Sequence, residues 1–329
     1  MARTPDVEIK GKMRKSISAF IVDMDTPGVE VVTRCRFMGL KALYNGVVRF
    51  TDVKIPIENL VAGEGRGLKV ALSTLTTGRL TLPAACVGLM SSCLKISREW
   101  SSTREQWGCV IGKHQAIADK IAKTAISNFA TETMVLFTSS LVDGKKADIR
   151  VESAMCKMWG TEEAWRVTDD TMQIRGGRGY ETADSLKNRG MEPIAVERYM
   201  RDCRINLIFE GSSEIMRLLL AREALDPHLK AAGAVLNSRL PIMVRLKAAL
   251  GAGLFYAKWY PKQWLPSFGG TPSGLDGSLK KYLRYVSCTS KKLSKNDPQN
   301  EPNNDQKNIS ILQSAIPGHL RNCLLYTSP

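Results

Sequence analysis

Histidine is scarce in this 329-residue chain: His114, His228 and His319 are the only three and lie far apart, so no histidine-built metal site is expected. The eight cysteines, Cys35, Cys86, Cys93, Cys109, Cys156, Cys203, Cys288 and Cys323, stand singly, without a CxxC pair or a recurrent spacing. They read as small core or surface thiols in a reducing compartment rather than as a disulfide framework. No apolar run approaches the roughly 18 to 20 uncharged residues of a membrane span. The start lacks the charged, apolar and small-residue succession of a signal peptide, and a cytoplasmic location is the expectation. What is present is a composition of 43% hydrophobic and 24% charged residues, that of a soluble globular protein long enough for more than one domain. The net charge of +15 suits nucleic acid, an anionic membrane surface or a polyanionic small molecule, and solubility alone also accounts for it.

The chain divides by pattern into three parts, residues 1–62, 63–230 and 231–329. In the first, "SISAFIVDM" and "NGVVRFTDVKIP" are short β-rich runs bounded by Gly, Pro and Asn, as in an antiparallel sheet. The polar lead "ARTPDVEIKGKMRKS" reads as a loop inside a sheet domain. From Leu68 the pattern becomes helical, through a long helix with Pro83 inside it and a second helix from His114 that Gly144 stops. That second helix places Ile117, Ile121, Ala125 and Phe129 at four-residue spacing, which reads as one apolar face. A third helix, a Gly-rich break "RGGRGYE", a short helix near "AVERYMRD" and a helix opened by "GSSEIMRL" follow, and short connections between them predict an antiparallel bundle. The fold class expected is therefore α+β: the C-terminal part of an antiparallel β-domain, an up-down four-helix bundle, and a partly helical C-terminal extension.

Three segments carry candidate chemistry. In "TREQWG", Arg104 offers a donor fork suited to phosphate and Gln106 an amide. In "QIRGGRGYE", Gly176, Gly177 and Gly179 let a ligand approach the backbone, and Gln173 can hydrogen-bond it; the spacing is not that of a dinucleotide fingerprint. In "NLIFEGSSEIMRLLLARE", one carboxylate, Glu210, lies between an apolar run and a helix mouth. Removing a proton α to a carbonyl needs a base shielded from water and donors where the oxygen gains charge. Glu210 can be the base, and its own N–H, near the positive end of the following helix, is a candidate donor.

Taken in order, "GVVRFTDVKIPIENLVAGEGRGLKVAL", "TREQWGCVIGKHQAIAD", "MQIRGGRGYE" and "VERYMRDCRINLIFEGSSEIMRLLLARE" resemble the acyl-coenzyme A dehydrogenase family over about residues 17–225. The resemblance implies FAD-dependent α,β-dehydrogenation of acyl-CoA thioesters, with electrons passed to an electron-transfer flavoprotein. It places the α-proton base at Glu210. A minority of the family carries that base on an earlier helix, at the position of Gly78, so Glu210 has no rival here. By the same likeness Arg104, Gln106, Gln115, Gln173, Gly176, Gly177, Ser212 and Glu214 contact the flavin dinucleotide, partly across a subunit interface of a homodimer or homotetramer. Arg79, Phe209 and Gly211 would line the substrate side. Arg201 and Asp202 read as structural, in an ion pair or at a helix end, and Arg66 as a turn residue at the sheet-to-helix junction.

The family's N-terminal helical domain and the first half of its sheet domain have no counterpart in these residues. The tail resembles that of larger, very-long-chain-type and related bacterial members. Its segment Leu240 to Phe268 interleaves Trp259, Tyr260, Trp264 and Phe268 with Lys258 and Lys262, a composition suited to packing on a bundle or partner subunit, or to peripheral contact with an anionic membrane. "SKNDPQNEPNNDQKN" has the composition of a disordered linker, and "CLLYTSP" no closing logic. Two other functions share these features: an oxidase that returns flavin electrons to oxygen, and a DNA-associated relative using the positive charge. No helix-turn-helix or zinc-finger spacing supports the latter, and Glu210 has no role in it.

Overall fold

The structure, a computed structural model, describes residues 1–9, 11–144, 148–264 and 285. The chain forms two compact units, Met1–Ala221 and Arg222–Pro329. The first unit opens with β1 (Ala2–Ile9) and β2 (Lys12–Phe20), an antiparallel hairpin. The polar lead is thus paired strand, which corrects the loop expected there. Pro5, which has no N–H to give, falls within a register irregularity between Thr4 and Val7, and Thr4 Oγ1 bonds the hydroxyls of Ser16 and Ser18 at 2.9 and 3.0 Å. β3 (Val29–Arg34), absent from the sequence reading, pairs with β4 (Gly46–Phe50), and β5 (Leu60–Val61) joins β2 in the order β1-β2-β5.

Helix α1 (Gly67–Thr103) follows, with Arg66 at its head and Pro83 inside it. The hairpin β6 (Glu105–Gln106) and β7 (Cys109–Val110) then turns through Trp107 and Gly108, both at positive φ, the pattern of a tight two-residue turn. Next come α2 (Gln115–Asp143), α3 (Arg150–Arg175), α4 (Gly177–Tyr180), α5 (Ala183–Asn188), α6 (Val196–Arg204) and α7 (Ser213–Leu236). Lys120 pairs with Asp170 toward one end, and Thr138 Oγ1 lies 3.2 Å from Cys156 Sγ toward the other, so α2 and α3 are antiparallel. Pro83 meets Gly160, and Ser97 bonds Thr171 at 3.3 Å, so α1 and α3 run the same way. α6 returns alongside α3, and Cys203 joins Cys86, Met90, Cys93, Ala164 and Val167 in the core. The α+β class with an up-down bundle is the one expected.

The inward face of α2 differs from the sequence reading. Ile121, Thr124, Ser127, Thr131, Val135 and Thr138 are buried, while Phe129 is 71% exposed. Strict four-residue steps advance about 400° each, so the Ile117-to-Phe129 row drifts off the face, whereas mixed three- and four-residue steps stay on it. Five buried threonines, Thr131 and Thr138 on α2 and Thr161, Thr168 and Thr171 on α3, return their hydroxyls to the preceding turn, as Thr131 to Ser127 O and Thr168 to Ala164 O, while the Thr124 hydroxyl has no partner. Also unlike the reading, α1 is long and apolar enough by length and composition to cross a membrane. It serves as a bundle helix, with Cys86, Met90 and Cys93 buried in the core.

In the second unit α8 (Ile242–Trp264) follows α7. Phe255, Tyr256 and Trp259 gather round His228, with ring centroids at 5.8, 5.7 and 5.0 Å. Part of the aromatic set expected in Leu240 to Phe268 is thus held within this unit. Phe268, the Asn-rich linker and the chain end lie outside the described residues.

Candidate active site

Gly78 lies on α1 where a β-carbon would stand 2.1 Å from Glu210 Oε2 and 2.7 Å from its Oε1. The Glu210 carboxylate therefore fills the volume that a side chain at 78 would need. It is delivered by two consecutive residues of positive φ, Glu210 at 56° and Gly211 at 101°. For a non-glycine residue that conformation costs about 1–3 kcal/mol. Two cations hold it: Arg79 Nε donates to Glu210 O at 3.3 Å, and Lys157 Nζ donates to Gly211 O at 2.5 Å. Hydrogen bonds from charged donors contribute about 1.5–3 kcal/mol each, enough to offset the strain.

Packing fixes the turn from the other side. A β-carbon on Gly211 would meet Met216 Cε at 2.4 Å; Met216 is fully buried in the first turns of α7, and its N–H donates to Ser212 O at 2.9 Å. Glu210 Oε2 and Ser213 Oγ are shielded from solvent and have no hydrogen-bond partner. A shielded, unpaired carboxylate oxygen is what a proton-abstracting base requires. Below the turn Lys157 is fully buried, and burial, reinforced by Arg79, holds its ammonium below the usual lysine range. Cys86 nearby is pushed up to about 12 by burial and by Cys203, so it is a neutral thiol.

Lys157 was missed from the sequence. Its signal was its place on the buried stripe of α3, among Ser153, Ala154, Gly160, Thr161 and Ala164, where a lysine needs a partner. Arg201 and Asp202 hold the loop before β4: Arg201 pairs with Glu197 and donates to Met38 O at 2.9 Å, while Asp202 accepts from Leu40 N at 2.6 Å.

Of the residues singled out by sequence, Arg79, Phe209, Glu210, Gly211, Ser212 and Glu214 come together at the head of α7. The exposed Glu214 carboxyl is held below its usual range by its own backbone N–H and the Ser212 hydroxyl. The others sit elsewhere. Arg104 caps α1, and Gln106 lies in the β6–β7 hairpin with its amide on Glu105 O. Gln115 opens α2, bonded to Asp119 at 2.6 Å. Gln173 is exposed in the last turn of α3, and Gly176 and Gly177 follow, with nothing within 4 Å of a β-carbon placed on either. A rise of about 1.5 Å per residue puts Gln173 about 24 Å along α3 from Lys157, and the end of α1 about 38 Å from Gly78. One chain does not bring these six to Glu210.

Residues 65–225 match the family model described as acyl-CoA dehydrogenase, C-terminal domain. The probable acyl-CoA dehydrogenase FadE10 of Mycobacterium tuberculosis is 49% identical over 298 residues, 90% of this chain and 45% of that protein. The human mitochondrial very long-chain specific acyl-CoA dehydrogenase is 32% identical over 267 residues, 77% of this chain and 39% of that protein. Among solved structures, butyryl-CoA dehydrogenase from Megasphaera elsdenii superposes with a TM-score of 0.58 at 31% identity, over 64% of this chain and 52% of that one. The chain thus spans less than half the length of these curated relatives.

Proposed function

The chain belongs to the acyl-CoA dehydrogenase family, a family of FAD-dependent flavoproteins, and on that premise we propose that it acts in the α,β-dehydrogenation of acyl-CoA thioesters with Glu210 as the base. The observation that carries this reading is the Glu210 carboxylate, lying over Gly78 with one oxygen shielded and unpaired. The α-proton passes to that carboxylate. As it leaves, negative charge grows on the thioester oxygen, and the Glu210 N–H at the α7 head is the donor this chain offers. Arg79 and Lys157 hold the two carbonyls of the turn, so the base does not swing as it takes the proton. The chemistry supplied by bound FAD is acceptance of the β-hydrogen as hydride.

Arg104, Gln106, Gln115, Gln173, Gly176 and Gly177 would hold the dinucleotide, with Ser212 and Glu214 beside the base. The open space over Gly176 and Gly177 fits the approach of such a group. Their distance from Glu210 supports a shared site, in which this end of the bundle serves a neighbouring copy of a homo-oligomer. The exposed Phe129, Leu136 and Phe137 of α2 are apolar surface available for such a contact. Electrons would leave to a separate electron-transfer flavoprotein. The test is anaerobic bleaching of flavin absorbance in the purified protein by saturated acyl-CoA. Glu210→Gln should keep flavin and lose bleaching; equal bleaching of both proteins would place the base elsewhere. Turnover sustained by oxygen alone would make the protein an oxidase.

A further inference from the structure

At the end of α3 two guanidinium groups share one aromatic ring. Arg175 Cζ lies 4.9 Å and Arg178 Cζ 5.4 Å from the Trp100 ring centroid. Arg175 is only 6% exposed, and the Nε of both arginines is buried with no hydrogen-bond partner. Among the described residues no carboxylate forms an ion pair with either. The nearby Glu181 is already engaged, by Arg189 at 2.8 Å and Ser185 at 2.7 Å. Like charges packed together and withdrawn from water are unfavourable unless something negative joins them. The indole face attracts both, and the terminal carbonyls of α3 favour a cation in its last turn. Neither supplies an acceptor for the Nε groups, and Arg178 lies beyond α3.

Between the two arginines the chain presents Gly176 and Gly177, with open space where side chains would stand. Gly179 is packed against Met172, its β-carbon position 2.7 Å from Met172 O, so the turn is held firmly beneath the opening. We propose that Arg175, Arg178 and Trp100 form an anion site for a phosphate or diphosphate group. Planar guanidinium forks match phosphate oxygens, and a third party of opposite sign removes the repulsion between them. None of these three residues belongs to the set that the family resemblance assigns to the flavin. The phosphate can come from the dinucleotide next to Gln173, Gly176 and Gly177, a source that rests on the flavin reading above, or from a free nucleotide or inorganic anion.

The test is thermal stability and calorimetric titration of the purified chain with inorganic pyrophosphate and with ADP, at low and high salt, in the wild type, Arg175→Met and Arg178→Gln. The wild type should bind and be stabilised by pyrophosphate, less so at high salt, and each variant should bind about tenfold more weakly. Without anion, Arg178→Gln, the less buried of the two, should melt no lower than wild type, because a repelling charge is gone. A purely structural pair would instead melt lower in that variant with and without anion. ADP binding far more tightly than pyrophosphate assigns the site to a nucleotide; equal affinity assigns it to the bare anion. No binding by the wild type, or equal binding by wild type and both variants, overturns the proposal. FAD content is read separately. Variants with unchanged FAD and unchanged pyrophosphate binding refute this site and leave the flavin reading standing; wild type that binds pyrophosphate through these arginines but no FAD does the reverse.

Discussion

The two ends of the helical bundle use positive charge differently. Where α7 begins, Arg79 and Lys157 give their hydrogen bonds to the carbonyls of Glu210 and Gly211, and the groups around the turn fix each other. Where α3 ends, Arg175 and Arg178 lie against Trp100 with unbonded Nε atoms beside an open glycine turn. The first arrangement holds a conformation and is complete within one chain. The second is unbalanced until an anion arrives. Pre-organisation at the proposed base end and unmet binding capacity at the proposed anion end are what a site shared between copies would divide between its contributors.

The contrast can be broken first at Gly78. Gly78→Ala puts a methyl group where the Glu210 carboxylate lies, and a displacement of about 1 Å is expected to slow flavin bleaching roughly 100-fold. Flavin content should largely hold, since six of the eight groups expected to bind it, Arg104, Gln106, Gln115, Gln173, Gly176 and Gly177, are distant; a rate within twofold of wild type would contradict the geometry. Lys157→Met comes next. It removes the bond to Gly211 O and should slow bleaching about tenfold, with kcat affected more than KM.

Lys157→Met also carries a pH signature. The folded ammonium titrates below the 10.5 of an unfolded lysine, so between the lowered value and 10.5 the unfolded chain binds more protons and this group makes stability rise with pH. Subtracting the variant's alkaline stability curve from that of the wild type should isolate that rise; a flat difference would mean that Lys157 does not bear its charge at a cost.

A smaller effect comes from the thiol core. Cys86 is pushed up to about 12, and Cys93 and Cys203 to about 11, chiefly by burial. For thiols raised above the unfolded value of 9.0 the folded state holds its protons longer, so the stabilising contribution is complete below pH 9 and is lost as pH rises through 11 to 12. Near neutral pH a thiol reagent followed by peptide mapping should modify Cys35 and Cys109 well before Cys86, Cys93, Cys156 and Cys203. Early loss of the buried four would show that the core opens.

Much of this architecture was legible in local signals. The Glu-Gly-Ser turn announced Glu210 because a carboxylate before a helix start is chemically conspicuous, and Gly144 and Gly176 marked helix ends. The inward face of α2 was misjudged because a four-residue row drifts round a helix and because buried threonines look polar until their hydroxyls are seen on the preceding turn. The hairpin of β1 was hidden by its polar composition, and the structure accommodates Pro5 there within a register irregularity. Lys157 and the Arg175–Arg178–Trp100 cluster were out of reach for a different reason: their meaning depends on partners far along the chain, or on having none. The resemblance pairs Gly78 with Glu210 as alternative places for one base, and the fold adds the physical reason: residues more than a hundred apart in sequence share one volume, the Glu210 carboxylate filling the space over Gly78.

That coincidence also gives the most direct test. Anaerobic flavin bleaching by saturated acyl-CoA should be compared in the wild type, in Glu210→Gly, and in Glu210→Gly combined with Gly78→Glu. Loss of a general base costs about 100- to 10,000-fold, and a carboxylate returned to the same space from α1 should restore most of that loss in the double variant. If Glu210→Gly bleaches like the wild type, or if the double variant binds flavin yet recovers nothing, the space over Gly78 is not where the proton is taken.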